Sequence, residues 1–314
     1  MTIAISDDGV GALLEMKEVV SAVEEAFRME GMGQAANHRR SRSRAPGSVL
    51  NVMHATLPYL NRAGLKAYLS SPAGTKFVVI LFDSGTSAPL AVLGADILGR
   101  YRTGAASAVA TRHLFRGKSG TLALFGSGRQ ALTQVLAISE VLSVEAVRVW
   151  SPNAPHREAF AARLSKIGFR ASALDSPAKA IEGAEVACAI TSSRTPFLTA
   201  SMVKQTSHLN ICGGNVPEHA EASPEAVGSF DTVAVDDLPQ ARVEYGDLVQ
   251  AVEAGTFAWE SAVELCDVVA GKFAPRGRTL FKSGGAALED VAVASLIYDK
   301  ARSTDGRYPN VELT

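Results

Sequence analysis

The sequence predicts an α/β protein in which a Rossmann-type dinucleotide-binding domain is joined to an α+β domain. A glycine turn, Gly126-Ser-Gly-Arg-Gln-Ala131, follows the apolar run 121–125 and opens a helical pattern that reaches Leu142. A second apolar strand, Ala146-Val-Arg-Val-Trp150, comes next and closes a strand–helix–strand unit of about 30 residues. Beyond it strand-like and helix-like segments alternate, as in a parallel sheet, whereas the first third reads as consecutive strands behind a helix.

Taken in order, residues 16–29 place Met16, Val19, Val20, Val23 and Phe27 at helical spacing. A loop is expected next, carrying Gly31, Gly33 and the basic run His38-Arg-Arg-Ser-Arg-Ser-Arg44. Segments 49–56, 65–70 and 77–82 read as strands, and Asp83-Ser-Gly85 reads as the hairpin connection to strand 89–93. A helix of small residues, 103–114, leads to Arg116-Gly-Lys-Ser-Gly120, where a domain boundary is expected. Further strands are expected at 121–125, 146–150, 186–190, 208–212 and 232–235, with helices near 128–142, 155–167 and 239–253. The last helix, 286–302, carries Leu288, Val291, Val293, Leu296 and Ile297 and is expected to pack back onto the first domain. That domain is then discontinuous, residues 1–118 with 287–314, around a dinucleotide-binding domain of residues 119–286.

The totals exclude several classes. With 314 residues, 47% hydrophobic, 20% charged and a net charge of −1, the chain has no excess of positive charge for nucleic acid or an anionic membrane. No apolar stretch approaches a bilayer span and the N-terminus lacks a secretory pattern, so a cytoplasmic protein is expected. Cys188, Cys212 and Cys266 are widely spaced, the histidines form no metal-binding pair, and no G-x-S-x-G elbow is present. Neither a metal site nor a hydrolase of that type is expected.

The glycine turn sets a pyrophosphate on a helix N-terminus. Gly126 permits the turn, Gly128 allows backbone to approach phosphate, and Ala131 is the third small position, where helix meets strand. An acidic residue just past the second strand ordinarily grips the adenosine ribose; here the stretch is Ser151-Pro152-Asn153, with His156 and Arg157 after it. Small polar groups and a nearby cation accept a 2′-phosphate, which favours NADP(H) over NAD(H). A plainer alternative for Arg157 is a solvated charge on the following helix.

Outside the turn, Lys66 sits in an apolar strand, where lysine is costly to bury without a partner. Arg102 opens a helix of small side chains, and Arg40 and Arg42 share parity, so an extended backbone points both the same way. Two arginines and a lysine near a nicotinamide suit an α-amino or α-imino acid, whose carboxylate matches the guanidinium fork. The basic run as a solvated loop, Lys66 at a strand edge and Arg102 as a helix-end charge are the plain alternatives.

The chain resembles the ornithine cyclodeaminase/mu-crystallin family. The matching elements are Gly64-Leu-Lys66, Arg102-Thr-Gly-Ala-Ala-Ser107, Gly126–Ala131, Gly183-Ala-Glu-Val, Thr191-Ser-Ser-Arg-Thr-Pro196, His208–Asn215, Val235-Asp-Asp237 and Leu280–Gly285. The resemblance implies a homodimer in which a substrate-binding and dimerisation domain faces a Rossmann domain across a cleft. It also implies that Arg40 or Arg42, with Arg102, clamps the substrate carboxylate and that Lys66 helps move protons. Thr103 and the turn Gly126, Ser127, Gly128, Arg129, Gln130 and Ala131 would hold the phosphates. Ser151, Asn153 and Arg157 fall at the ribose, Thr191 and Ser192 border the cofactor, and Lys282 and Ser283 lie near the nicotinamide end.

One position departs from the family. Members that cyclise and deaminate ornithine carry an aspartate where this chain has Asn215, and an amide hydrogen-bonds but cannot act as a base. The expectation is therefore an NAD(P)H-dependent reductase of an α-imino acid, such as pyrroline-2-carboxylate or piperideine-2-carboxylate. Ornithine cyclodeaminase proper and a non-catalytic NADP(H)-binding protein are the alternatives.

Overall fold

The computed structural model describes residues 2–303 and 308–312. Its elements begin with β1 (Thr2–Ile5), α1 (Asp7–Leu13), α2 (Met16–Gly31), β2 (Ala36–Ala45), β3 (Ser48–Leu57), β4 (Arg62–Ser71), β5 (Gly74–Asp83), β6 (Pro89–Gly94) and α3 (Asp96–Leu114). They continue with β7 (Ser119–Phe125), α4 (Ala131–Ser139), β8 (Ser143–Trp150), α5 (Ala154–Lys166), β9 (Ala171–Ala173), α6 (Pro177–Ile181) and β10 (Val186–Ala189). Next come α7 (Ala200–Val203), β11 (His208–Ile211), α8 (Pro224–Val227), β12 (Thr232–Val235), α9 (Leu238–Glu244) and α10 (Gly246–Glu253). The series closes with β13 (Ala262–Glu264), α11 (Leu265–Val269), β14 (Thr279–Lys282), α12 (Ala287–Arg302) and β15 (Asn310–Val311).

Two units emerge, Met1–Arg102 with Gly285–Thr314, and Thr103–Gly284. The first cut falls inside α3, not at 118/119, and the second at 284/285, not at 286/287. Residues 116–120 lead directly into β7, while α3 begins at Asp96 rather than Thr103. A cap remote in sequence starts it there: the Asp7 carboxylate accepts the N–H groups of Asp96 at 2.9 Å and Ile97 at 3.0 Å.

The first unit is one sheet of order β15-β1-β6-β5-β4-β3-β2, antiparallel except for the β1–β6 pair. Helix α12 packs across β3 and β4 and against α2, burying Met53, Ala55, Leu57, Val79, Leu81 and Val291. The basic run 38–44 is no loop; it lies on β2. An edge strand needs no apolar alternation, so its sequence lacked the strand signal. Pairing passes from His38↔His54 to Ser41↔Val52, leaving Arg39 and Arg40 opposite Met53. This bulge resets which face the strand's side chains take.

The second unit is a parallel sheet of order β13-β12-β14-β11-β10-β7-β8-β9. Strand order reverses at β7, which places the switch-point crevice beyond its carboxyl end. The interior strand β14 and the three-residue β9 and β13 were not anticipated, being too short to display a period. The helix expected over 239–253 is two helices, because Tyr245 leaves helical geometry (φ −91°, ψ 88°) with its ring fully buried. No helix among the described residues is long and apolar enough to cross a membrane.

Candidate active site

In the second unit the apolar β7 delivers the chain to Gly126, whose φ of 111° favours glycine. A Cβ there would lie 2.5 Å from the Ile190 carbonyl oxygen. The Gly126 N–H donates to the Trp150 carbonyl at 2.8 Å, tying the turn to the end of β8. Gly128 differs: a Cβ there would meet nothing within 4 Å. Residues 127–130 are turn rather than helix, and α4 starts at Ala131 with no side-chain cap. N–H groups left uncapped beside open space are suited to an anion.

A cavity of ≈ 450 Å³ lies between this turn, the end of β8 at Trp150–Pro152 and the stretch 190–197. Gly126, Ser127, Gly128, Ser151, Thr191 and Ser192 all border it. The Trp150 and Phe197 ring centroids lie 5.2 Å apart, and the Ser127 and Ser151 hydroxyls are 2.9 Å apart. Asn153 caps α5 by accepting from the His156 N–H at 2.9 Å, while Arg157 donates to the Ser151 carbonyl at 3.1 Å. Arg129 and Gln130 are exposed on the turn and Ala131 is buried under it. The glycine-lined space, the uncapped helix start and the polar cavity edge fit a dinucleotide. Thr103 does not border this cavity; it is buried in α3, its carbonyl accepting from Gln134 at 3.5 Å.

In the first unit, Lys66 on β4 pairs with Met53 on β3, on the face covered by α12. Its Nζ donates to Asp290 Oδ1 at 2.8 Å with both side chains closed to solvent. Arg102 Nε donates to that same oxygen at 3.1 Å, and its Nη1 donates to Glu289 Oε2 at 2.9 Å. Arg40, buried by the bulge, donates to the Gly285 carbonyl at 3.3 Å. Gly285 has φ 85°, and a Cβ there would overlap the Arg102 guanidinium. Arg42 is only half-buried and donates to Asn51 at 3.1 Å.

Three cations thus meet two carboxylates, Glu289 and Asp290, leaving one positive charge over while Lys66 is protonated. Two guanidinium groups and an ammonium gathered in this way suit a bound carboxylate. Burial pushes the Lys66 ammonium down to about 8; Asp290 opposes that shift, and Arg102 and Arg40 reinforce it. An amine with that affinity exchanges protons near neutral pH.

A second buried cluster sits in the other unit. Lys282 pairs with Asp247 at 2.9 Å, both fully buried, and also donates to the Gly214 carbonyl at 2.9 Å. Burial works against its charge, but Asp247 and Glu221 hold the ammonium above its ordinary range. Ser283 donates to Asp236 at 2.8 Å, and Asp236 also receives the Tyr245 hydroxyl. Asn215 follows in the half-buried loop after β11. The structure thus commits Lys282 and Ser283 to protein partners.

Sequence reasoning passed over Glu289, Asp290, Glu221 and Asp247. A signal existed for the first two: Lys66 and Arg102, if buried, require acids, and these acids stand between the apolar residues Leu288 and Val291 of the last helix. Glu221 and Asp247 carry no such mark.

Residues 2–305 match the model of the ornithine cyclodeaminase/mu-crystallin family. The chain belongs to this family. It is 31% identical over 314 residues to an alanine dehydrogenase of Archaeoglobus fulgidus, covering 96% of both chains. It is 32% identical over 263 residues to a Δ1-pyrroline-2-carboxylate reductase of Bacillus cereus, covering 80% of this chain and 81% of that one. Among solved structures, the Thermococcus litoralis Δ1-pyrroline-2-carboxylate reductase in complex with NADH and L-proline superposes with a TM-score of 0.92. That match has 29% identity and covers 98% of this chain and 100% of that one. As a member of this family the chain is an NAD(P)-dependent enzyme acting at C=N or CH–NH bonds, and its relatives support imine reduction.

Proposed function

We propose that the chain reduces the C=N bond of an α-imino acid, a cyclic ketimine such as pyrroline-2-carboxylate or piperideine-2-carboxylate. The carrying observation is the buried assembly of Lys66, Arg102 and Arg40 with Asp290 and Glu289. Arg102 and Arg40 hold the substrate carboxylate, while Arg42 is bonded to Asn51. When bound, the reduced nicotinamide supplies the hydride that the imine carbon accepts. Lys66 donates the proton that the nitrogen gains, so one hydride and one proton turn C=N into CH–NH.

The turn from Gly126 to Ala131 and the N-terminus of α4 would hold the pyrophosphate, with Trp150–Asn153 beside the adenosine. No carboxylate stands at 151–153, and Arg157 is held against Ser151. This supports use of NADPH at least as well as NADH, tested by the ratio of kcat/KM for the two. Asn215 supports reduction over cyclodeamination, since its amide cannot take a proton. L-Proline, the ligand of the Thermococcus litoralis reductase, is what hydride addition to pyrroline-2-carboxylate yields.

A homodimer is part of this reading. The sheet face of the first unit opposite α12 carries Leu50, Val52, Leu65, Ala67, Leu69, Val78 and Ile80, none fully buried. Apolar surface of that extent is suited to a second copy, and light scattering checks it. The function itself is tested by following NADPH and NADH oxidation with the two cyclic imino acids. Pyruvate with ammonia serves as an open-chain comparison, and ammonia release from ornithine is assayed in parallel.

A further inference from the structure

Glu221 carries no part of the chemistry above, yet it bonds two residues that border the dinucleotide cavity, Thr191 and Phe197. Its Oε1 accepts the Thr191 N–H at 2.6 Å and its Oε2 accepts the Gly213 N–H at 2.7 Å. Its own carbonyl accepts the N–H groups of Phe197 at 3.0 Å and Leu198 at 2.9 Å. Thr191 and Phe197 border the cavity, and Gly213 opens the loop to Asn215. The residue is fully buried, and any Cβ at position 213 would overlap its carboxylate. Asp247 Oδ1 fixes the backbone beneath by accepting from Glu221 N at 2.6 Å and Ala222 N at 2.9 Å.

We propose that the ionised Glu221 carboxylate is a latch that positions the Thr191–Phe197 wall of the dinucleotide cavity, so that a proton taken up by Glu221 weakens dinucleotide binding. The proposal rests on the dinucleotide reading of that cavity. A carboxylate accepts both amides at once. After protonation one oxygen becomes a hydroxyl, a weaker acceptor for either Thr191 or Gly213, and both bonds lose the help of the negative charge. Charge-assisted hydrogen bonds are about twice as strong as neutral ones, so that wall loosens.

The surroundings make this step accessible near neutral pH. Burial raises Glu221 to about 7, Lys282 opposing and Asp247 reinforcing the shift. The charged and titratable neighbours are Lys282 on β14, Asp247 on α10, Cys188 on β10, Cys212 after β11 and His219 in the loop before Glu221. Lys282 is raised and so stays cationic, and Cys188 lies well above its ordinary value and so stays a thiol. His219, in the same loop, is controlled separately by substitution.

The test is NADH binding by fluorescence between pH 8 and pH 6, because NADH carries no phosphate monoester that titrates there. If only the ionised latch binds, the apparent Kd of the unmodified protein rises about tenfold over that interval. Glu221→Gln is expected to bind more weakly at pH 8 and to show no such rise, while His219→Gln keeps it. Calorimetry of the unmodified protein at pH 7, in two buffers of different ionisation heat, is expected to show about half a proton released per NADH. That measurement stands even where Glu221→Gln fails to fold. An unmodified protein whose Kd ignores pH, a Glu221→Gln protein that keeps the rise, or binding without proton release overturns the latch alone. Absence of binding of both NADH and NADPH at every pH overturns the dinucleotide reading and the latch with it.

Discussion

Lys66 Nζ donates to Asp290 Oδ1 at 2.8 Å, inside a cluster from which solvent is excluded. The pair joins a strand near the start of the chain to a helix near its end, and Arg102 shares the same carboxylate oxygen. With Lys66 lowered to about 8 by burial, its donor form prevails below that pH and disappears above it.

Imine reduction is therefore expected to slow as pH rises through about 8, the limb belonging to Lys66. Lys66→Met should lower kcat by about 10²- to 10⁴-fold, the ordinary worth of a placed proton donor, while NADH affinity changes little. Steady-state rates across pH 6–10, with NADH binding measured on the variant, check both parts.

Asp290→Asn removes the anion that opposes the burial shift of Lys66. The alkaline limb should move to lower pH, since Lys66 then loses its proton more readily. Stability should also fall by about 3–5 kcal/mol, because a buried pair loses one partner. A pH–rate profile and urea unfolding separate the two effects.

The arginines should differ among themselves. Arg40 is buried with Arg102 around Gly285, while Arg42 is half-buried on Asn51. Loss of a charge-assisted hydrogen bond is worth about 1.5–3 kcal/mol, so Arg40→Gln or Arg102→Gln should raise KM for the imino acid by about 10- to 100-fold. Arg42→Gln should change it by only a few fold, as KM measurements at saturating cofactor will show.

His208 supplies a stability marker apart from catalysis. It is fully buried, bonds Thr279 at 2.8 Å, and is lowered to about 4 by burial. A depressed folded value means the neutral ring stabilises the fold above pH 6.5 and that contribution is lost as pH falls through about 4. The loss is about 3 kcal/mol. Denaturant unfolding from pH 7 to pH 4 should show it, and His208→Gln should flatten that portion of the curve.

What was legible in the sequence was local. The β7 turn and the start of α4 announce themselves through Gly126 and Gly128, and Lys66 stands out because lysine does not belong in an apolar strand. What was hidden depends on residues far apart in the chain. The start of α3 depends on Asp7, the burial of Arg40 on a bulge against Met53, and the state of Lys66 on Asp290. The basic run 38–44 showed no alternation because β2 is an edge strand, and Glu221 gave no sign because its partners are backbone amides in other loops.

The most direct measurement is NADPH and NADH oxidation by the purified protein with pyrroline-2-carboxylate, with the product identified and ornithine run alongside. Imine reduction requires stoichiometric loss of nicotinamide absorbance, formation of proline, and dependence on Lys66 and Arg102. Ammonia and proline released from ornithine without net nicotinamide change, and no turnover of either cyclic imine, would contradict it.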